Sequence, residues 1–115
     1  MTFSRGDLVR VELDPVRGSE LRRTRPCVVV QRDAANRGGR TTIVCPLTDA
    51  VGKRPSSILV AIPAGTGGAT KDSVVVCSQI RAVDQTRIVA QLGSLPPALM
   101  NQVDEGLRAV LDLDA

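Results

Sequence analysis

Histidine, tryptophan and tyrosine are absent from this 115-residue chain, and phenylalanine occurs once, at Phe3. Without histidine the commonest general base and the commonest zinc ligand are both missing. Proton transfer then falls to carboxylates, hydroxyls, arginines or water, and neither a metal nor a cofactor is expected. The lack of aromatics removes the stacking platform that usually gives single-stranded nucleic-acid binders ~1 to 3 kcal/mol per base. A nucleic acid would be held instead by guanidinium planes, phosphate contacts and hydrogen bonds to base edges. Cysteine is scarce too: Cys27, Cys45 and Cys77 lie far apart, each in or beside an apolar run. An odd number cannot all pair within one chain, and no Cys-x-x-Cys occurs, so buried free thiols are expected. No apolar run approaches the ~18 residues of a membrane helix. The opening Met1–Asp7 lacks the apolar stretch of a secretory signal, so a cytoplasmic protein without a membrane partner is expected.

What the chain does have is arginine, unevenly placed. The net charge is +3, yet residues 1–54 carry eleven Lys/Arg against six Asp/Glu, and residues 55–115 carry four against six. Seven arginines (Arg17, Arg22, Arg23, Arg25, Arg32, Arg37 and Arg40) fall in one stretch that holds only two acids, Glu20 and Asp33. Mutual repulsion keeps such a set in solvent until a polyanion arrives, and nucleic acid is the natural candidate. A solvated charged face with no partner gives a similar count.

Short β-rich runs alternate with Gly, Pro and Asp: Leu8–Leu13, Cys27–Gln31, Thr41–Leu47, Ser57–Ile62, Ser73–Ser78 and Arg87–Leu92. About six strands in one domain, residues 1–115, predict a small twisted β-barrel. Val9, Val11 and Leu13 alternate with Arg10 and Glu12, as in a strand wet on one face, whereas Val28–Val30 and Val74–Val76 read as buried on both. Leu95, Leu99, Val103, Leu107, Val110 and Leu111 recur at spacings of three and four, which predicts an amphipathic C-terminal helix. Ser94 is its expected cap, with Pro96 and Pro97 in the first turn. The fold class is therefore mainly β with a C-terminal α-helix.

Two glycine-containing segments invite other readings. Ala64–Lys71 fits neither Gly-x-Gly-x-x-Gly nor the Walker pattern, so it is read as a flexible connection between strands. Asn36-Arg37-Gly38-Gly39-Arg40 is read as a hairpin turn flanked by arginines.

Several motifs in one order, Arg5-Gly6-Asp7, Gly18-Ser19-Glu20, Arg25-Pro26, Pro46-Leu47-Thr48, Asp72-Ser73-Val74 and Gln79-Ile80-Arg81, resemble the MazF/PemK family of toxin endoribonucleases. The resemblance spans nearly the whole chain. It implies an SH3-like twisted β-barrel of the CcdB/MazF/Kid type, a homodimer, and sequence-specific, metal-independent cleavage of single-stranded RNA, including mRNA. It also implies an acidic, MazE-like antitoxin that competes for the basic groove. In such chemistry the substrate's 2′-hydroxyl attacks the adjacent phosphorus, leaving a 2′,3′-cyclic phosphate and a 5′-hydroxyl. The resemblance assigns Arg25 and Thr48 to the active site. A guanidinium held before Pro26 offers planar paired donors to two phosphate oxygens, and the Thr48 hydroxyl can donate to the same phosphate.

Ser19, Glu20, Ser78 and Gln79 are further candidates for catalysis or substrate positioning; Glu20 either orients Arg25 or accepts the 2′-proton. Arg17, Arg22, Arg23, Arg37 and Arg40 are candidate RNA contacts. The chain departs from the family's usual pattern at Leu21, where many relatives carry glutamine. It departs again at Ser78, where some carry an aspartate proposed as the proton acceptor, and that leaves the base unassigned. Two alternatives stand beside the endoribonuclease: a toxin of the same architecture that binds DNA gyrase and cuts nothing, and a non-catalytic RNA-binding barrel.

Overall fold

The computed structural model describes residues Thr2–Leu113. Seven strands form: β1 (Asp7–Glu12), β2 (Thr24–Val29), β3 (Thr41–Asp49), β4 (Leu59–Ile62), β5 (Ser73–Val76), β6 (Arg81–Asp84) and β7 (Ile88–Ser94). Two helices join them, α1 (Asp33–Gly38) and α2 (Pro97–Leu111). All pairings are antiparallel, in the order β4-β5-β3-β2-β1-β7, with β6 on the first half of β3. The result is a twisted, barrel-like sheet with a C-terminal helix, as the sequence predicts, although its ladder is not closed.

β3 serves two sheets, and prolines mark where it changes partner. It pairs with β2 through Val44, Cys45 and Pro46, and with β5 through Leu47, Thr48 and Asp49. Neither Pro46 nor Pro26 has an N–H to offer, so the β2–β3 ladder stops at Cys27 and Pro46. β2 stays with β1, β3 leaves with β5, and a gap opens between them.

Alternation within the strands builds a core on each side of the sheet. Val9, Val11, Leu13, Cys27, Val29, Val44, Val83 and Ile88 form one. Leu8, Val28, Cys45, Leu47, Val60, Val75, Met100 and Val103 belong to the other, which α2 covers. Asp7, buried among them, accepts from Ser4 N at 2.8 Å, Gln91 Nε2 at 2.8 Å and Ser94 Oγ at 2.7 Å, tying the first turn to β7. All three thiols are free and buried, and desolvation pushes Cys27 up to about 12, Cys77 up to about 11, and Cys45 higher still.

Four expectations need correction. A seventh strand, β6, was missed because only Val83 of its four residues is buried, too few to make an alternating pattern. Ser94 does not cap α2: it ends β7 and spends its hydroxyl on Asp7, while extended Pro96 takes the cap position and Pro97 opens the helix. Asn36–Gly38 closes α1 and is no hairpin turn. The Asn36 side chain is buried, accepting from Thr42 Oγ1 at 2.7 Å and donating to Gln31 O at 3.0 Å, and these bonds hold the helical turn against β3. The glycine-rich connection, finally, is packed where flexibility was expected. Gly68 (φ +94°) crosses β7 so closely that a Cβ would lie 2.2 Å from Leu92 O, and one on Gly93 would lie 2.4 Å from Gly67 O. Backbone meets backbone there, which only glycine allows.

Candidate nucleic-acid interface

The gap between β2 and β3 is the first of two clefts. The pairing ends at Cys27↔Pro46, and Arg25 and Thr48, each two residues beyond it on its own strand, both line the cleft where the strands part. Arg25 is half-buried, and its guanidinium is pinned by main chain: Nε donates to Arg22 O at 2.9 Å and Nη1 to Leu47 O at 3.1 Å. Nη2 bonds no protein acceptor among the described residues, and Arg25 lines the cleft.

The cleft, about 390 Å³, is lined by Arg10, Arg25, Thr48, Asp49, Lys71 and Ser73 among others. Three cations thus face one carboxylate. Asp49 accepts from Val51 N at 3.0 Å and pairs with Lys71 Nζ at 3.3 Å; those two contacts, the backbone bond foremost, hold its pKa below the ordinary carboxylate value. A carboxylate so stabilised is a poor proton acceptor.

A second cleft of about 370 Å³ is lined by Ser19, Glu20, Pro46, Ser78, Gln79 and Arg81 among others. The structure therefore divides the candidates: Arg25 and Thr48 on one side, Ser19, Glu20, Ser78 and Gln79 on the other. Gln79, in the 3₁₀ turn Cys77–Gln79, clamps the β1–β2 loop by accepting from Leu21 N at 2.7 Å and donating to Ser19 O at 3.4 Å. Arg81 Nη1 donates to Leu13 O at 3.3 Å near the base of that loop, where Leu13 N also donates to Arg23 O at 3.0 Å. Glu20 does not orient Arg25. Its carboxylate accepts from Arg17 N at 3.1 Å within the loop, and the orienting groups are the Arg22 and Leu47 carbonyls instead.

Arg17, Arg22 and Arg23 stand exposed on this loop, whose Arg22 carbonyl fixes Arg25. Arg37 and Arg40 are not part of the same surface patch. They lie by the start of β3, and Thr48 is seven steps along that strand from Thr41, ~23 Å at the usual rise. Sequence reasoning missed Arg10 and Lys71. Arg10 alternates with buried valines and reads as an ordinary wet-face residue until the pairing Arg10↔Pro26 brings it to the cleft. Lys71 gives no signal of its own. Among the described residues no group of His, Cys, Asp or Glu is arranged to hold a metal ion.

Fold and site together define a small antiparallel β protein with a C-terminal helix and a cationic cleft opened between two strands. Residues 4–111 match the model of the PemK-like, MazF-like toxins of type II toxin-antitoxin systems, and the chain belongs to that family. It is 37% identical over 113 residues to endoribonuclease EndoA of Bacillus subtilis (strain 168), covering 98% of this chain and 97% of the relative. It is 36% identical over 110 residues to endoribonuclease MazF of Staphylococcus epidermidis, covering 96% and 92%. Among solved structures, MazF from Deinococcus radiodurans matches with a TM-score of 0.84 at 25% identity, covering 98% of this chain and 99% of that one. A mycobacterial endoribonuclease in complex with its cognate antitoxin matches with a TM-score of 0.80 at 23% identity, covering 99% of each chain.

Proposed function

We propose that this protein is a metal-independent endoribonuclease that cuts single-stranded RNA, mRNA included, at particular sequences and acts as the toxin of a toxin-antitoxin pair. The observation that carries the reading is the Arg25 guanidinium, pinned by two carbonyls in a cationic cleft that Thr48 also lines. A group held this way loses little entropy on meeting a phosphate, and its fixed donors act where charge accumulates in the pentacoordinate transition state. The 2′-hydroxyl attacks the adjacent phosphorus and the bond to the 5′-oxygen breaks. Arg25 and the Thr48 hydroxyl hydrogen-bond the phosphoryl oxygens, and the departing 5′-oxygen takes its proton from solvent or along a hydrogen bond from Arg25. Asp49, whose pKa is held below the ordinary carboxylate value, is a poor acceptor for the 2′-hydroxyl proton, which leaves to water.

The toxin works as a homodimer, and its neutralising partner is an acidic, initially disordered segment that occupies the same cationic surface. Incubating the purified protein with a long RNA in EDTA tests the activity. Discrete fragments ending in a 2′,3′-cyclic phosphate (or the 3′-phosphate derived from it) and a 5′-hydroxyl are expected, with DNA untouched. Intact RNA under those conditions contradicts the proposal.

A further inference from the structure

Arg10 stands between Val9 and Val11, both fully buried, and its register neighbour on β2 is Pro26. Its own side chain is half-buried at the wall of the first cleft, and no carboxylate among the described residues pairs with it. A cation partly withdrawn from water without a counter-ion is unfavourable, and an incoming anion relieves it. Lys71, on another part of the same wall, does have a counter-ion: it reaches Asp49 across 3.3 Å, with side chains 68% and 47% exposed. An ion pair that open to solvent is weak and exchanges readily. Thr24 and Thr70 add hydroxyls to the same lining.

Resting on the endoribonuclease reading above, we propose that Arg10 and Lys71 form a second phosphate subsite, which holds an RNA phosphate neighbouring the one at Arg25 and Thr48, with Asp49 occupying Lys71 until that phosphate arrives. The two cations suit different tasks. Arginine presents a planar pair of donors to one phosphate, while lysine supplies a point charge that tolerates a shifting geometry. Because this phosphate is not the one attacked, the subsite acts on binding of substrate, not on the chemical step.

The test measures binding of a single-stranded 2′-fluoro RNA, which lacks the attacking hydroxyl and stays intact, at a series of salt concentrations. Arg10→Ala should weaken binding about tenfold and flatten the plot of log affinity against log salt by about 0.7, the increment for one phosphate contact on a single strand. Lys71→Ala should act in the same direction, and Asp49→Asn, which frees Lys71, should tighten binding. Arg108→Ala, on the outer face of α2 and paired with Glu105, removes a charge elsewhere and should leave the slope alone. With cleavable RNA, Arg10→Ala should raise KM and preserve kcat. Parental protein that binds while Arg10→Ala behaves like Arg108→Ala overturns the subsite and leaves the endoribonuclease reading standing. Parental protein that binds no RNA overturns both. Loss of affinity for a polyglutamate peptide with RNA binding unchanged also overturns the subsite, assigning the two cations to an acidic protein partner.

Discussion

In the proposed reaction Arg25 carries the chemistry, and the main chain positions it twice over, through the Arg22 and Leu47 carbonyls, before any substrate arrives. Arg25→Ala should lose ~3 to 4 kcal/mol of transition-state stabilisation and slow cleavage by about two to three orders of magnitude. Thr48→Ala should act in the same direction but more mildly. Circular dichroism should find both variants folded, since neither residue belongs to the cores. The cysteines make a different prediction. With Cys27 pushed up to about 12 from an ordinary 9.0, an unfolded chain ionises this thiol while the folded chain does not. Stability should therefore be complete below pH 9.0 and fall as pH rises towards 12, by at most ~1.4 kcal/mol per pH unit for that one group. At neutral pH a thiol reagent should label all three cysteines of denatured protein and leave the folded protein unlabelled; rapid labelling of the folded protein would contradict their burial. At this scale the sequence was informative about type and less so about partners. Buried thiols were legible, and Arg25 and Thr48 line one cleft, whereas the bonds of Glu20 and Gln79 and the place of Arg10 depend on which strands meet.

Secondary-structure elements were legible where their period was long and their burial one-sided. α2 formed as its spacing predicts, with Met100 and Val103 on its buried face, and β1 formed from its alternation. Short elements whose order comes from contacts were not legible: β6 has one buried residue, and α1 is held by the buried Asn36–Thr42 bond. Gly106 is a case in which local preference and packing oppose each other. Alanine is the better helix former by ~1 kcal/mol, but a Cβ here would lie 2.6 Å from Cys77 Sγ and 3.0 Å from Ser57 O. Overpacking should prevail, so that Gly106→Ala lowers stability by about 1 to 3 kcal/mol in chemical denaturation. An unchanged or raised midpoint would mean that α2 sits farther from the Cys77–Gln79 turn. That turn matters beyond packing, because Gln79 at its end holds the loop whose Arg22 carbonyl holds Arg25.

For the whole molecule, charge and topology converge on one place. The basic half of the sequence supplies β1, β2, their connecting loop and β3, and the strand exchange at Pro26 and Pro46 opens a cleft between them whose lining is completed from the second half by residues such as Lys71 and Ser73. Composition gave the asymmetry directly, but it could not distinguish the arginines beside the cleft from Arg37 and Arg40 at the far end of β3, because charge counts carry no topology. The central claim is that this cleft presents a phosphate to its own neighbouring 2′-hydroxyl. A substrate RNA with a single 2′-deoxy substitution just upstream of a mapped cut, incubated with the protein in EDTA, tests that claim most directly. Cleavage should vanish at the substituted site and continue at the others; continued cleavage at the substituted site would show that water is the nucleophile and contradict the mechanism.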